Sequence, residues 1–124
     1  MRPCILVVDD DESIRRLIVT SLRIEGYELS EAQNGREALQ AMRSGREDLV
    51  LLDLMMPEVS GWDVLRERDA SAELRRIPVI VISAAHTDSR DLLPNVCATL
   101  AKPFELESLH ATVRNCLGKR ERVG

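Results

Sequence analysis

Apolar residues occur with two different spacings along this chain of 124 residues. Continuous apolar runs at residues 4–8, 49–52 and 79–82 are typical of strands that are buried on both faces. A shorter run at 99–101 and an alternating segment at 27–32 predict two further strands. Between these runs, apolar residues recur every three or four positions, as they do on one face of a helix. The pattern therefore predicts strands that alternate with helices.

The first helix is predicted from one apolar stripe and the glycine that follows it. The stripe consists of Ile14, Leu17, Ile18 and Leu22, and Gly26 ends the helix. We expect this stripe to be the face that packs against the sheet.

Similar signals mark the later helices. Asn34 is predicted to cap the second helix, with a glutamate three residues further on as its capping-box partner. Pro94 allows only a short fourth helix, around residues 89–93. The last helix is predicted to end at Gly118.

Five strand–helix repeats with such short connections favour parallel strands joined by right-handed crossovers. The sequence contains no internal repeat and no composition change that would indicate a second domain. We therefore predict one doubly wound α/β domain over residues 1–118, followed by a charged tail at 119–124.

Acidic residues stand where two of the buried strands end. Asp9, Asp10 and Asp11 follow the first apolar run directly, and Asp53 follows the third predicted strand. The carboxyl ends of parallel strands meet at one edge of the sheet, where open α/β folds bind their ligands. Clustered carboxylates repel one another unless a cation offsets their charge. The pattern predicts a metal-dependent site, with a simple helix-capping role as the alternative for Asp11.

Ser83 and Lys102 end the fourth and fifth predicted strands, and with them the chain resembles the receiver domain of two-component response regulators. The resemblance covers nearly the whole chain and rests on four motifs: Val7-Val8-Asp9-Asp10, Leu52-Asp53-Leu54-Met55-Met56-Pro57 with Gly61, Val81-Ile82-Ser83-Ala84, and Lys102-Pro103-Phe104. It implies a flavodoxin-like (βα)5 three-layer sandwich with strand order 2-1-3-4-5.

The resemblance implies phosphoryl chemistry for the strand-end residues. Asp53 resembles the phosphoacceptor, a carboxylate that attacks a phosphoryl group to form an acyl phosphate. Lys102 would supply a positive charge to one phosphoryl oxygen, and Ser83 would donate a hydrogen bond to another. Pro103 resembles a cis-proline that positions the lysine.

A magnesium site is implied as well. Asp10 and Asp9 would hold Mg²⁺ together with Asp53 and the backbone carbonyl of Met55, because this ion prefers oxygen ligands. The protein would then be a phosphorylation-activated switch that assists its own phosphoryl transfer and hydrolysis, without being an enzyme in the ordinary sense. The expected partners are a histidine kinase or phosphotransfer protein and an unknown downstream protein. The expected state is a monomer or a weak, phosphorylation-dependent dimer.

One position departs from the family pattern, and it leaves alternatives open. Thr99 stands three places before the lysine, where the family commonly has an aromatic switch residue. The alternatives are a receiver module from a hybrid kinase or longer regulator, and a binding module that works without phosphorylation. Haloacid-dehalogenase-type phosphotransferases fit less well, because they need a second aspartate where Met55 stands. A flavin-binding protein also fits less well, because the acids after the first strand would repel a phosphate.

Composition narrows the class of protein. Charged residues make up 31% and hydrophobic residues 44%, as in soluble globular domains. A net charge of −4 and an aromatic content of 2% argue against nucleic-acid binding through this domain. We expect no membrane contact and no signal peptide. Three cysteines without metal-ligand spacing predict reduced thiols in a cytoplasmic protein.

Overall fold

The computed structural model describes residues 2–83 and 95–123, with side chains described as far as residue 118. Five parallel strands form one sheet in the order β2-β1-β3-β4-β5, which confirms the expected topology. The strands are β1 (Cys4–Val8), β2 (Glu28–Ala32), β3 (Leu49–Asp53), β4 (Val79–Ser83) and β5 (Ala98–Ala101). The helices are α1 (Glu12–Ile24), α2 (Gly35–Arg43), α3 (Gly61–Asp69) and α4 (Leu106–Val123), with a 3₁₀ turn at Leu74–Arg76. The predicted short helix around residues 89–93 lies outside the described residues.

Alternation along the strands sends side chains into two separate cores. Leu6 and Val8 of β1 pack on one face of the sheet with α2 and α3. Ile5 and Val7 pack on the other face with α1 and α4. All five residues of β3 and of β4 are buried, because these central strands are covered on both faces. The three-layer α/β sandwich predicted from the sequence is therefore confirmed.

The buried face of α1 is rotated from the one that the sequence predicted. Its buried residues are Arg15, Ile18, Val19 and Leu22, whereas the side chain of Leu17 is 54% exposed. The helical spacing was recognised, but an arginine was not counted as a residue of the buried face. The predicted stripe was wrong at this point.

Local signals predicted the helix starts better than the last helix end. Asp11 caps α1 by accepting hydrogen bonds from two backbone amides, and Asn34 caps α2 by accepting one. Gly26 and Gly45 adopt left-handed backbone conformations, with φ of 98° and 77°, and follow the ends of α1 and α2. Gly118 lies inside α4, which runs on to Val123, so the predicted helix end was wrong. The division of the chain after residue 118 stays a prediction.

Two of the three cysteines are paired. A disulfide joins Cys97, just before β5, to Cys116 on α4. The prediction of three reduced thiols was therefore wrong; only Cys4 is a free thiol. Among the described residues, no helix is both long and apolar enough to cross a membrane.

Candidate functional site

The parallel sheet brings four predicted site residues to one edge. Asp9 directly follows β1, Asp53 ends β3, Ser83 ends β4 and Lys102 directly follows β5. Near this edge the strands pair in the following register: Val8 with Leu52, Asp53 with Ile82, and Ser83 with Ala101. Residues far apart in the sequence therefore become neighbours across adjacent strands.

Asp9 is held at all of its polar atoms. Its backbone N–H donates to the carbonyl of Ala32 at 3.1 Å, and its own carbonyl accepts from Arg15 Nη1 at 2.8 Å. One carboxylate oxygen accepts from the Asp11 N–H at 2.9 Å, and the other accepts from Lys102 Nζ at 3.1 Å. The side chain is 2% exposed, so this carboxylate has little freedom to reorient.

Asp53 lies beside Asp9 and shares its lysine. Lys102 Nζ lies 3.4 Å from one Asp53 oxygen, and the Met55 N–H donates to the other at 3.1 Å. Burial raises the pKa of the Asp53 carboxyl, and the charge of Asp9 adds to this rise. The Met55 amide and Lys102 lower the same pKa, but the net shift is upward.

Lys102 is the counter-charge of this pair. Burial lowers the pKa of its ammonium group, but the hydrogen bond to Asp9 and the charges of Asp53 and Asp9 outweigh that effect. The pKa of Lys102 is therefore raised, and the side chain stays charged at neutral pH. The peptide bond between Lys102 and Pro103 is cis, as the resemblance implied.

Three carboxylates are close enough to share one cation. Ligand oxygens from Asp9, Asp10 and Asp53 all lie within 4.8 Å of one another, with Asp9 and Asp53 buried and Asp10 exposed. Within the described part of the chain, Lys102 is the one cationic side chain in contact with these carboxylates. Three acids against one ammonium leave negative charge in excess, and carboxylate oxygens are the ligands that Mg²⁺ prefers. The donor set and the charge therefore fit a hard divalent cation.

Met55 and Ser83 lie at this edge of the sheet, and Thr99 lies further back within β5. The Met55 side chain is 65% exposed beside Asp53, and Ser83 is buried at the last position of β4. Thr99, at the position where an aromatic residue is usual, is half-buried in β5 opposite Val81. A Cβ atom at Gly61 would overlap the carbonyl oxygen of Asp53, so glycine is required where α3 begins.

The family model for the response regulator receiver domain matches residues 5–114. The chain belongs to this family. The resemblance inferred from the strand-end motifs is therefore confirmed.

The relatives of this receiver domain include longer regulators. The chain is 40% identical over 116 residues to response regulator MprA of Mycolicibacterium vanbaalenii, covering 91% of this chain and 49% of that protein. It is 38% identical over 125 residues to DNA-binding response regulator MtrA of Mycolicibacterium smegmatis, covering 98% of this chain and 53% of that protein. The chain thus spans about half the length of these curated relatives.

A solved structure of similar fold comes from a kinase. The signal receiver domain of a signal transduction histidine kinase from Syntrophus aciditrophicus matches with a TM-score of 0.86 and 28% identity. The match covers 94% of this chain and 91% of that one. Receiver domains of this shape therefore occur in kinases as well as in regulators.

Two residues at the rim of the site, Arg15 and Glu31, were not predicted from the sequence. Arg15 of α1 donates to the Asp9 carbonyl and also contacts Glu31 of β2, with 2.9 Å between its Nε and the carboxylate oxygen. The available signal was the helical spacing of Arg15 with Ile18, Val19 and Leu22. It was overlooked because arginine is rarely assigned to a buried face.

Proposed function

We propose that this receiver domain accepts a phosphoryl group on Asp53 from a phosphohistidine of a histidine kinase or phosphotransfer protein. The observation that carries the proposal is the buried Asp53 carboxylate, which ends β3 beside Asp9 and within 3.4 Å of Lys102 Nζ. Phosphorylation would then change a protein-interaction surface. This is a switch function, in which the protein itself is the substrate.

The reaction fits the side chains at the strand ends. An ionised Asp53 oxygen attacks the phosphorus, the bond from the imidazole nitrogen to phosphorus breaks, and its electron pair stays on the imidazole. The positive charge of Lys102 favours the ionised carboxylate and can then bind a phosphoryl oxygen. The Ser83 hydroxyl is proposed to donate to another phosphoryl oxygen.

We propose Mg²⁺ as the cofactor of this site. Asp10, Asp9 and Asp53 would hold it, with the backbone carbonyl of Met55 as a further oxygen ligand. Bound there, the ion supplies positive charge against the acids and the transferring phosphoryl oxygens. This charge is needed because the three carboxylates exceed the single ammonium of Lys102.

The wider context of the switch is also proposed. The two curated relatives are about twice as long, and one is named as DNA-binding, which supports a receiver that controls an attached or separate output protein. A receiver module of a kinase is the second candidate, supported by the similar kinase domain. We propose no nucleic-acid contact through this domain, because its net charge is −4. A cytoplasmic monomer or weak phosphorylation-dependent dimer stays a prediction, although a disulfide is unusual in a reducing compartment.

Incubation with acetyl phosphate and Mg²⁺, followed by intact-mass spectrometry, tests the function. We expect the parent protein to gain one phosphoryl group and Asp53→Asn to gain none, because an amide is a poor nucleophile. Asp11→Asn is the matched control: it is the same chemical change two residues from Asp9, and asparagine can still cap α1. An Asp53→Asn protein that is still modified would show that another residue is the acceptor.

A further inference from the structure

Arg15 joins three segments of the chain at the end of β1. Its guanidinium lies on the buried face of α1, and the side chain is 11% exposed. Nη1 donates to the carbonyl of Asp9, while Nε donates to Glu31 at the end of β2. Because the guanidinium is rigid and planar, these two hydrogen bonds fix the position of the arginine side chain and of the peptide group that it contacts.

The peptide that Arg15 holds is the one between Asp9 and Asp10. Among the described residues, no hydrogen bond or ion pair holds the exposed Asp10 carboxylate, so its position depends on its backbone. That backbone follows directly from the Asp9 carbonyl, whose direction is set by Arg15. Arg15 therefore holds the peptide group from which the Asp10 side chain extends, without touching the Asp10 carboxylate.

Charge and positioning predict opposite effects of this residue. A positive charge near the acid cluster repels a divalent cation, so removal of Arg15 should strengthen cation binding if only charge mattered. The ion pair with Glu31 offsets that charge locally. Loss of positioning would weaken cation binding instead, because ligands held by outer contacts bind metal more tightly.

We propose that Arg15 is a positioning residue that orients the Asp9–Asp10 peptide and thereby presents both carboxylates to the cation. The proposal rests on the proposed function of the site. Replacement of Arg15 by methionine should weaken Mg²⁺ binding by about tenfold or more. The sign of the change separates positioning from charge.

The test measures Mg²⁺ binding by calorimetric titration of the parent protein, Arg15→Met and Arg16→Met. Arg16 is the matched control, because it lies on the same helix with a side chain that is 66% exposed. We expect weaker binding in Arg15→Met alone. The rate of phosphorylation by acetyl phosphate should fall at low Mg²⁺ and recover at saturating Mg²⁺. Unchanged or tighter Mg²⁺ binding in Arg15→Met would overturn the proposal.

A charge-conserving variant keeps the test decisive if Arg15→Met does not fold. Arg15→Lys retains the positive charge but lacks the planar guanidinium with its two hydrogen bonds. Weaker Mg²⁺ binding than in Arg16→Lys supports a positioning role for Arg15, and equal binding in the two variants overturns it. NMR of the metal-free proteins gives an independent readout: the backbone amide signals of Asp10 and Asp11 should shift in Arg15→Lys and stay in place in Arg16→Lys. If the parent protein binds no Mg²⁺, the proposed cofactor is wrong, and these amide signals alone decide whether Arg15 positions the acids.

Discussion

Removal of the lysine that pairs with both buried acids is the most informative perturbation of this domain. Lys102→Met keeps a side chain of similar length but leaves Asp9 and Asp53 without their shared counter-charge. Their side chains are 2% and 4% exposed, so water cannot take over that role. We expect Lys102→Met to unfold more easily at neutral pH in the absence of metal.

The size of this destabilisation can be worked out from the proton that Asp9 and Asp53 would take up together. Without the lysine, the fold can relieve the repulsion by keeping one carboxyl protonated. Since aspartate in an unfolded chain ionises near pH 3.9, holding it neutral at pH 7 costs about 4 kcal/mol. This value is an upper limit. It is similar to the loss of about 3–5 kcal/mol that is typical when one partner of a buried ion pair is removed.

The pH dependence has a definite sign. The pKa of Asp53 is already raised in the fold, and loss of Lys102 raises it further. A carboxyl whose pKa is raised by folding destabilises the fold above that pKa, and the loss is recovered as the pH falls towards the unfolded value. At pH 5 the same limit is about 1.5 kcal/mol. The stability gap between the two proteins should therefore shrink as the pH is lowered.

Urea denaturation of both proteins at pH 7 and pH 5 measures this gap. The control is Arg16→Met, which removes an exposed positive charge from α1 and should change stability little at either pH. Added Mg²⁺ should also narrow the gap, because it restores positive charge beside the acids. A gap that is the same at both pH values would refute the reasoning.

Three further predictions concern the metal, the lifetime of the phosphoprotein and the disulfide. Mg²⁺ should raise the melting temperature of the parent but not of Asp10→Ala, which should be at least as stable as the parent without metal; an unchanged response would remove Asp10 from the site. Met55→Asn should speed loss of the phosphoryl group after removal of the donor by about tenfold, because an amide can orient the attacking water. This gain in rate corresponds to about 1.4 kcal/mol of barrier, and equal decay rates in the two proteins would contradict the prediction. Reduction of the Cys97–Cys116 disulfide, 19 residues apart, should lower the free energy of unfolding by about 3 kcal/mol in urea titrations, and superimposable curves would argue against the bond.

The sequence was sufficient to predict the sheet and the set of residues at its edge. Fully buried strands read as continuous apolar runs, and a residue that follows such a run must emerge at the strand end. Once the strands are parallel, all their carboxyl ends face the same way, so Asp9, Asp53, Ser83 and Lys102 had to gather at one edge. The apolar runs of the strands and the residues at the strand ends are local properties of the sequence, and these were predicted correctly.

The contacts between elements were decided by the tertiary structure alone. Arg15 could be buried because its guanidinium donates to the Asp9 carbonyl at the end of β1 and to Glu31 of β2, two groups outside its own helix. Cys97 and Cys116 could pair because α4 lies against the edge strand β5. Such contacts depend on how helices are placed on the sheet, which apolar spacing along one element does not specify. The sequence by itself therefore determined which residues reach the site, and the packing of helices on the sheet determined how they are held there.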